Sequence, residues 1–183
     1  VPVPRRKLRF DAPADPFHVV LVEPEIPQNT GSIGRLCAAT GSRLHLVGRL
    51  GFDISEKAVR RAGMDYWRRL GPAVHESFER YLAAERPGSL LLMSSRGGRS
   101  HLEMDFAPGA ALVFGSESRG LDEGLLEEHP DRTFAIPTVD GIRSLNLATA
   151  VAVVLYEALR ATGALSRLHV ESVDGGATRP RSR

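Results

Sequence analysis

Two runs constrain the fold more than any other feature of the chain. Leu90-Leu91-Leu92-Met93 and Ala110-Ala111-Leu112-Val113-Phe114 are apolar without alternation. A strand with one wet face alternates polar and apolar residues, so an unbroken apolar run of this length belongs to a strand covered on both faces. Residues 18–23 form a third such run, broken by Pro24 and Pro27. Arg43–Val47 alternates, and a last strand over 132–136 stops at Pro137. Between the strands the pattern is helical: from Asn29 or Thr30 to Gly41, then 55–62, 76–85, 122–128, and a long helix over 144–162. Strands alternating with helices predict an α/β fold with a mostly parallel sheet flanked by helices.

At 183 residues the chain is one domain with a tail at each end. We place the domain at 18–163, with a basic extension at 1–17 and an Arg-rich, flexible tail at 164–183. The net charge of +2 is uneven: residues 1–10 and 177–183 hold seven basic groups and no acid, which leaves 17 basic against 22 acidic groups in 11–176. Basic arms on an acidic body suit a polyanion gripped at its edges, or are simply solvated. The single cysteine, Cys37, excludes an intrachain disulfide framework and fits a reducing, cytoplasmic setting. No stretch has the length of a membrane span. The six histidines lack zinc-site spacing, so no metal is expected.

Three segments place glycines or polar side chains where an apolar run stops. They are residues 29–35, residues 114–121, and Ile136-Pro137 followed by Ser144-Leu145-Asn146-Leu147. Gly115 ends a buried strand, where a missing side chain admits a ligand to the backbone or merely a tight turn. Glu117 shares that turn. Ser144 is read as the cap of the long helix, beside free amide groups that would suit an anion, and Asn146 as a polar residue in its first turn. Arg35 is either a phosphate ligand or a surface arginine. Arg60, Arg61, Arg68 and Arg69 flank Tyr66-Trp67, an interleaving that suits RNA or a solvated face. The long helix is apolar nearly all round, which asks for burial on most sides and favours a second subunit over one face.

Taken together and in order, these segments resemble the SPOUT, or α/β-knot, RNA methyltransferases. Within them the chain is most similar to the tRNA (cytidine/uridine-34)-2′-O-methyltransferases. Glu23-Pro-Glu-Ile-Pro-Gln-Asn29 through Arg35 carries the first motif, and Arg61-Ala-Gly-Met-Asp-Tyr-Trp67 a further stretch. Ser116 and Ser118 depart from residues that are often Pro and Thr there. The resemblance implies a carboxyl-terminal trefoil knot, a homodimer, the tRNA anticodon stem-loop as substrate, and S-adenosylmethionine as methyl donor, with S-adenosylhomocysteine as product. It implies cofactor contacts at Met93, Gly115, Ile136, Ser144 and Leu145. It implies catalytic roles for Asn29, Arg35, Glu117, Ser144 and Asn146. Methylation of another tRNA or rRNA ribose, or a non-catalytic RNA-binding dimer of the same fold, are the alternatives.

Overall fold

The computed structural model describes residues 5–53 and 66–173. In chain order its strands are β1 (Arg5–Phe10), β2 (His18–Val22), β3 (Arg43–Val47), β4 (Ala73–His75), β5 (Leu90–Met93), β6 (Arg99–Ser100), β7 (Ala111–Phe114), β8 (Thr133–Ala135) and β9 (Leu168–Val173). Seven of them form one sheet, ordered β4-β3-β2-β7-β5-β8-β6. All of its pairings are parallel. The expected mostly parallel sheet is therefore present. β4 and β6, three and two residues long, were not expected, because strands so short leave no periodicity to read.

Five helices flank the sheet in the described residues: α1 (Pro27–Thr40), α2 (Trp67–Leu70), α3 (Phe78–Glu85), α4 (Glu123–Glu128) and α5 (Leu147–Ala161). On one face, Ile33 and Cys37 of α1, Trp67 of α2 and Val151, Val154, Leu155, Ala158 and Leu159 of α5 meet Val19, Leu21, Leu44, Leu46 and Leu112. On the other, Tyr81 of α3 and the α4 leucines meet Val20, Val47, Leu92 and Val113. Each central strand thus supplies both cores, which is why its sequence does not alternate. α1 opens on Pro27, whose missing N–H costs nothing at that position, and closes where Gly41, at φ 70°, returns its N–H to Cys37. The expected helix over 55–62 lies outside the described residues.

Two expectations are corrected here. α5 starts later than read: Asn146, not Ser144, is its cap, its side-chain oxygen accepting from the N–H groups of Ala148 and Thr149. An asparagine that looks misplaced inside a helix is favoured at the cap, where its short side chain replaces the missing backbone acceptor. The second correction concerns the chain ends. The sequence reading puts no element in 1–17 or after residue 163, yet β1 and β9 pair antiparallel from Phe10↔Leu168 to Arg5↔Val173. Neither strand has the apolar pattern of a buried strand, and their partnership spans nearly the whole chain, so no local window reveals it.

α5 is also more one-sided than its composition implies. Its buried residues are Val151, Val154, Leu155, Ala158 and Leu159, while Val153 and Tyr156 are 36% and 45% exposed in the single chain.

Candidate active site

In open parallel sheets, ligands collect outside the carboxyl ends of the strands where the strand order reverses. Here the chain steps from β2 to β3 and β4 on one side, while β7, β5, β8 and β6 lie on the other. At the carboxyl ends of β5, β7 and β8 is a cleft of ≈ 550 Å³, inside the roughly 300–1,000 Å³ range of small-molecule sites. Met93, Phe114, Ile136, Leu145 and Leu147 give it apolar walls, and Asn29, Glu117, Ser144 and Asn146 give it polar ones. The three sequence segments therefore do share one pocket.

The polar wall is a directional relay. Asn146 Oδ1 accepts from the first turn of α5, and Asn146 Nδ2 donates to Asn29 Oδ1 at 3.0 Å. Asn29 Nδ2 then donates to Glu117 Oε1 at 2.8 Å. Because a helix amide group starts the chain, the orientation of both side-chain amides follows from the partners. Each amide uses one of its two N–H donors in the relay. Glu117 also accepts from the N–H of Glu25 at 2.8 Å and of Ile26 at 3.3 Å. Helix α1 has no side-chain cap of its own. The Glu117 carboxylate, from a loop 91 residues away, satisfies backbone donors at its entrance and suits its positive end.

That loop is latched further. Glu25 accepts from the backbone N–H of Ser118 at 2.9 Å and from its hydroxyl at 2.6 Å, and those bonds hold its carboxyl below the usual range. Arg119 pairs with Glu23 at 2.7 Å. Glu23 itself sits at φ 49°, a left-handed conformation uncommon outside glycine. Sequence reasoning gave Glu25 and Ser118 no role. Their signal lies in the pairing of two loops, which no single segment carries.

Of the two readings of Gly115, the tight turn is the one the backbone shows. Ser116 and Gly120 exchange two backbone hydrogen bonds, so the loop doubles back on itself. A Cβ at Gly115 would lie 2.0 Å from the Gly120 carbonyl carbon and 2.2 Å from the Leu121 nitrogen. The space of the missing side chain is taken by protein backbone, and Gly115 still lines the cleft.

Arg35 does not line the cleft. It is exposed on α1, with its guanidinium 5.4 Å from the centre of the Tyr66 ring. The Tyr66 hydroxyl donates to the carbonyl of Gly31 at 2.5 Å. Trp67 is 8% exposed, and a Cβ on Gly34 would lie 2.9 Å from its ring. The aromatic pair between these arginines serves the fold: Trp67 is core, and Tyr66 braces α1. Arg68 and Arg69 are exposed on α2, and Arg69 borders a separate cleft of ≈ 400 Å³. Arg60 and Arg61 lie outside the described residues.

A second polar cluster sits on the α3 side of the sheet. His45 Nδ1 is 3.1 Å from His75 Nε2, and His18 Nδ1 is 3.0 Å from the Tyr81 hydroxyl. The ligand atoms of His18, His45 and Glu85 lie within 4.8 Å of one another, a juxtaposition made by two strands and a helix that sequence spacing does not show. Burial, then the neighbouring His18 and His75, push His45 down to about 3, and burial likewise raises the Cys37 thiol to about 12.

Among the described residues, no histidine or cysteine lines the larger cleft. It can bind, orient and stabilise charge, but it offers no thiol or imidazole for covalent or neutral-pH acid–base chemistry. The sequence model of the SpoU rRNA Methylase family matches residues 16–156. A tRNA (cytidine(34)-2′-O)-methyltransferase of Polaromonas sp. is 45% identical over 163 residues, spanning 87% of this chain and 99% of its own. A solved structure described for the 2-OH methylation of C/U34 on tRNA is 46% identical, with a TM-score of 0.73 over 80% of this chain and 97% of its own. The SpoU methyltransferase AviRb of Streptomyces viridochromogenes, solved in complex with AdoMet, is 28% identical, with a TM-score of 0.68 over 81% of this chain and 61% of its own.

Proposed function

This chain belongs to the SpoU rRNA methylase family, and from that premise we propose that it is a tRNA 2′-O-methyltransferase acting on the ribose of C34 or U34, with S-adenosylmethionine as donor. The observation that carries the reading is the Asn146–Asn29–Glu117 relay, a hydrogen-bonded polar wall of a cleft that also has apolar walls. A cleft of this size that offers apolar walls beside convergent polar groups fits a nucleoside-bearing cofactor. Met93, Ile136, Leu145 and the backbone around Gly115 and Ser144 would hold it. Bound there, it supplies a sulfonium methyl group whose departure leaves a neutral thioether.

The protein's task is the weakly acidic ribose hydroxyl. Asn29 and Asn146 each keep an N–H donor to orient the ribose or the cofactor, and Glu117 fixes Asn29. Ser144, at the cleft wall, completes that polar edge. Arg35, exposed outside the cleft of its own chain, is the cationic group we assign to the phosphate beside the target and to the developing oxyanion. Guanidinium does not release its proton near neutral pH, so its role is binding and charge stabilisation. The rest of the reading is a carboxyl-terminal trefoil knot, a domain over 18–163, a cytoplasmic homodimer, and the anticodon stem-loop as the bound part of tRNA. The exposed Val153 and Tyr156 of α5 support the dimer.

The test is to map 2′-O-methyl groups in tRNA from cells lacking this protein and in tRNA treated with the purified chain. Methyl groups appear at nucleotide 34 and disappear with the protein. A change at another ribose with 34 unaltered replaces the wobble reading with the alternative. Cofactor binding without transfer to any tRNA replaces it with a non-catalytic RNA-binding protein.

A further inference from the structure

The two chain ends form a surface that the family match does not include. β1 and β9 pair into a two-stranded antiparallel ribbon, and both strands lie outside residues 16–156. The twelve residues of the ribbon hold Arg5, Arg6, Lys7 and Arg9 against the single carboxylate of Glu171, a net +3. The whole chain is only +2, so the remaining residues together are at −1. Basic charge without matching acid is thus gathered on this element and on residues 177–183.

The register decides how that charge is displayed. Residues directly opposite in an antiparallel pair point to the same face. One face therefore carries Lys7, Arg9, His169 and Glu171, with Arg9 paired to Glu171 at 2.9 Å. The opposite face carries Arg6, Leu8, Phe10, Leu168 and Val170. Phe10 packs against the main core and anchors the ribbon to the body. Exposure rises outward from there, to 66% at Leu8 and 61% at Val170. The cationic side chains of Arg6, Lys7 and Arg9 are all exposed.

We propose that the β1–β9 ribbon grips the phosphate backbone of the tRNA substrate, at a place separate from the methyl-transfer cleft. The proposal rests on the tRNA reading given above. Charge complementarity selects the occupant: a net +3 element on an otherwise slightly anionic body is drawn to a polyanion. The display fits backbone contact and not base readout, because the deep, narrow major groove of A-form RNA closes off its base edges. The ribbon therefore adds affinity for tRNA without choosing the methylated nucleotide.

The experiment compares the full chain with a triple variant, Arg6→Ser, Lys7→Ser, Arg9→Ser, in tRNA binding over a salt series and in methylation kinetics. Loss of up to three phosphate contacts lowers the steepness of log affinity against log salt by about 2. KM for tRNA rises about tenfold or more, while kcat, cofactor affinity and the methylated position stay as they were. A second variant, Leu8→Thr with Val170→Thr, leaves the salt dependence unchanged and controls for disruption of the ribbon. An unchanged salt slope and KM in the triple variant overturns the proposal. So does a loss of self-association in the Leu8/Val170 variant without any charge effect in the triple variant, which would assign the ribbon to contact with a second copy. A wild-type chain that methylates a ribose other than 34, yet loses tRNA affinity in the triple variant, leaves the ribbon standing and removes only the wobble assignment.

Discussion

The molecule holds two polar networks of similar size, one on each side of its sheet, and they end differently. In the cleft network, Asn146, Asn29 and Glu117 are joined head to tail from a helix amide to a carboxylate. In the histidine network, His18, His45, His75 and Tyr81 are packed under α3, and His45 Nε2 is buried with no partner. The first keeps donors free beside a cavity and is half open to solvent. The second turns its groups on one another, and burial keeps His45 uncharged. A polar network serves ligand chemistry when its unused donors face a cavity. Closed in the interior, it makes the fold sensitive to protons instead.

The sharpest way to break the comparison is Asn29→Ala. It removes the middle of the relay, so Glu117 and Asn146 lose their shared partner at once. Turnover should fall about 100-fold, near 2.7 kcal/mol of transition-state stabilisation, with cofactor affinity far less affected. Activity within threefold of wild type would reduce the relay to scaffolding.

The histidine network should respond to acid. An unfolded imidazole titrates near 6.5, while His45 is held at about 3 and His18 is lowered by burial. Below 6.5 the unfolded chain takes up protons that the folded chain refuses, so stability falls as pH drops towards 3. The loss from His45 is about 1.4 kcal/mol per pH unit. Denaturant titrations at about pH 7.5 and 5.5 measure it, and His45→Gln should flatten the dependence. Cofactor affinity, set in a cleft without histidines, should hold over that range. A cofactor affinity that fell in parallel would show that the networks are coupled.

Tyr66→Phe probes the brace between them and the outer face of α1. It removes the hydroxyl bond to Gly31 but keeps the ring beside Arg35. We expect a loss of about 1 kcal/mol in stability and a KM effect on tRNA larger than the kcat effect. Tyr66→Leu, which also removes the ring, should add a kcat loss. Equal kinetics for the two variants would mean that the ring does not position Arg35. Arg119→Ala should do least. Its ion pair with Glu23 is largely solvent-exposed, so thermal unfolding should shift by no more than about 0.5 kcal/mol. A larger shift would give the latch between the two loops more weight than the relay.

The strands of both cores were legible because burial on both faces leaves an unbroken apolar signature, as at 90–93 and 110–114. The cleft residues were legible as a set because each follows a strand end. Their roles were less so. Ser144 reads as a cap until the backbone shows that Asn146 holds that position. Gly115 reads equally as a ligand approach or a tight turn until the chain at Gly120 shows the turn. Trp67 reads as part of an RNA-facing or solvated stretch until α1 lies across it at Gly34.

By itself, the sequence determined the alternation of strand and helix, the double burial of the sheet and the grouping of three loops at one pole. These follow from side-chain chemistry repeated at short spacing, and hydrophobic burial acts on it locally. Only the tertiary structure decided that a carboxylate at 117 closes the entrance of a helix begun at 27. It alone brought three histidines from three strands under one tyrosine, and joined residues 5–10 to residues 168–173. Each of these depends on register between segments distant in the chain, which sheet pairing and core packing fix together and no single segment encodes.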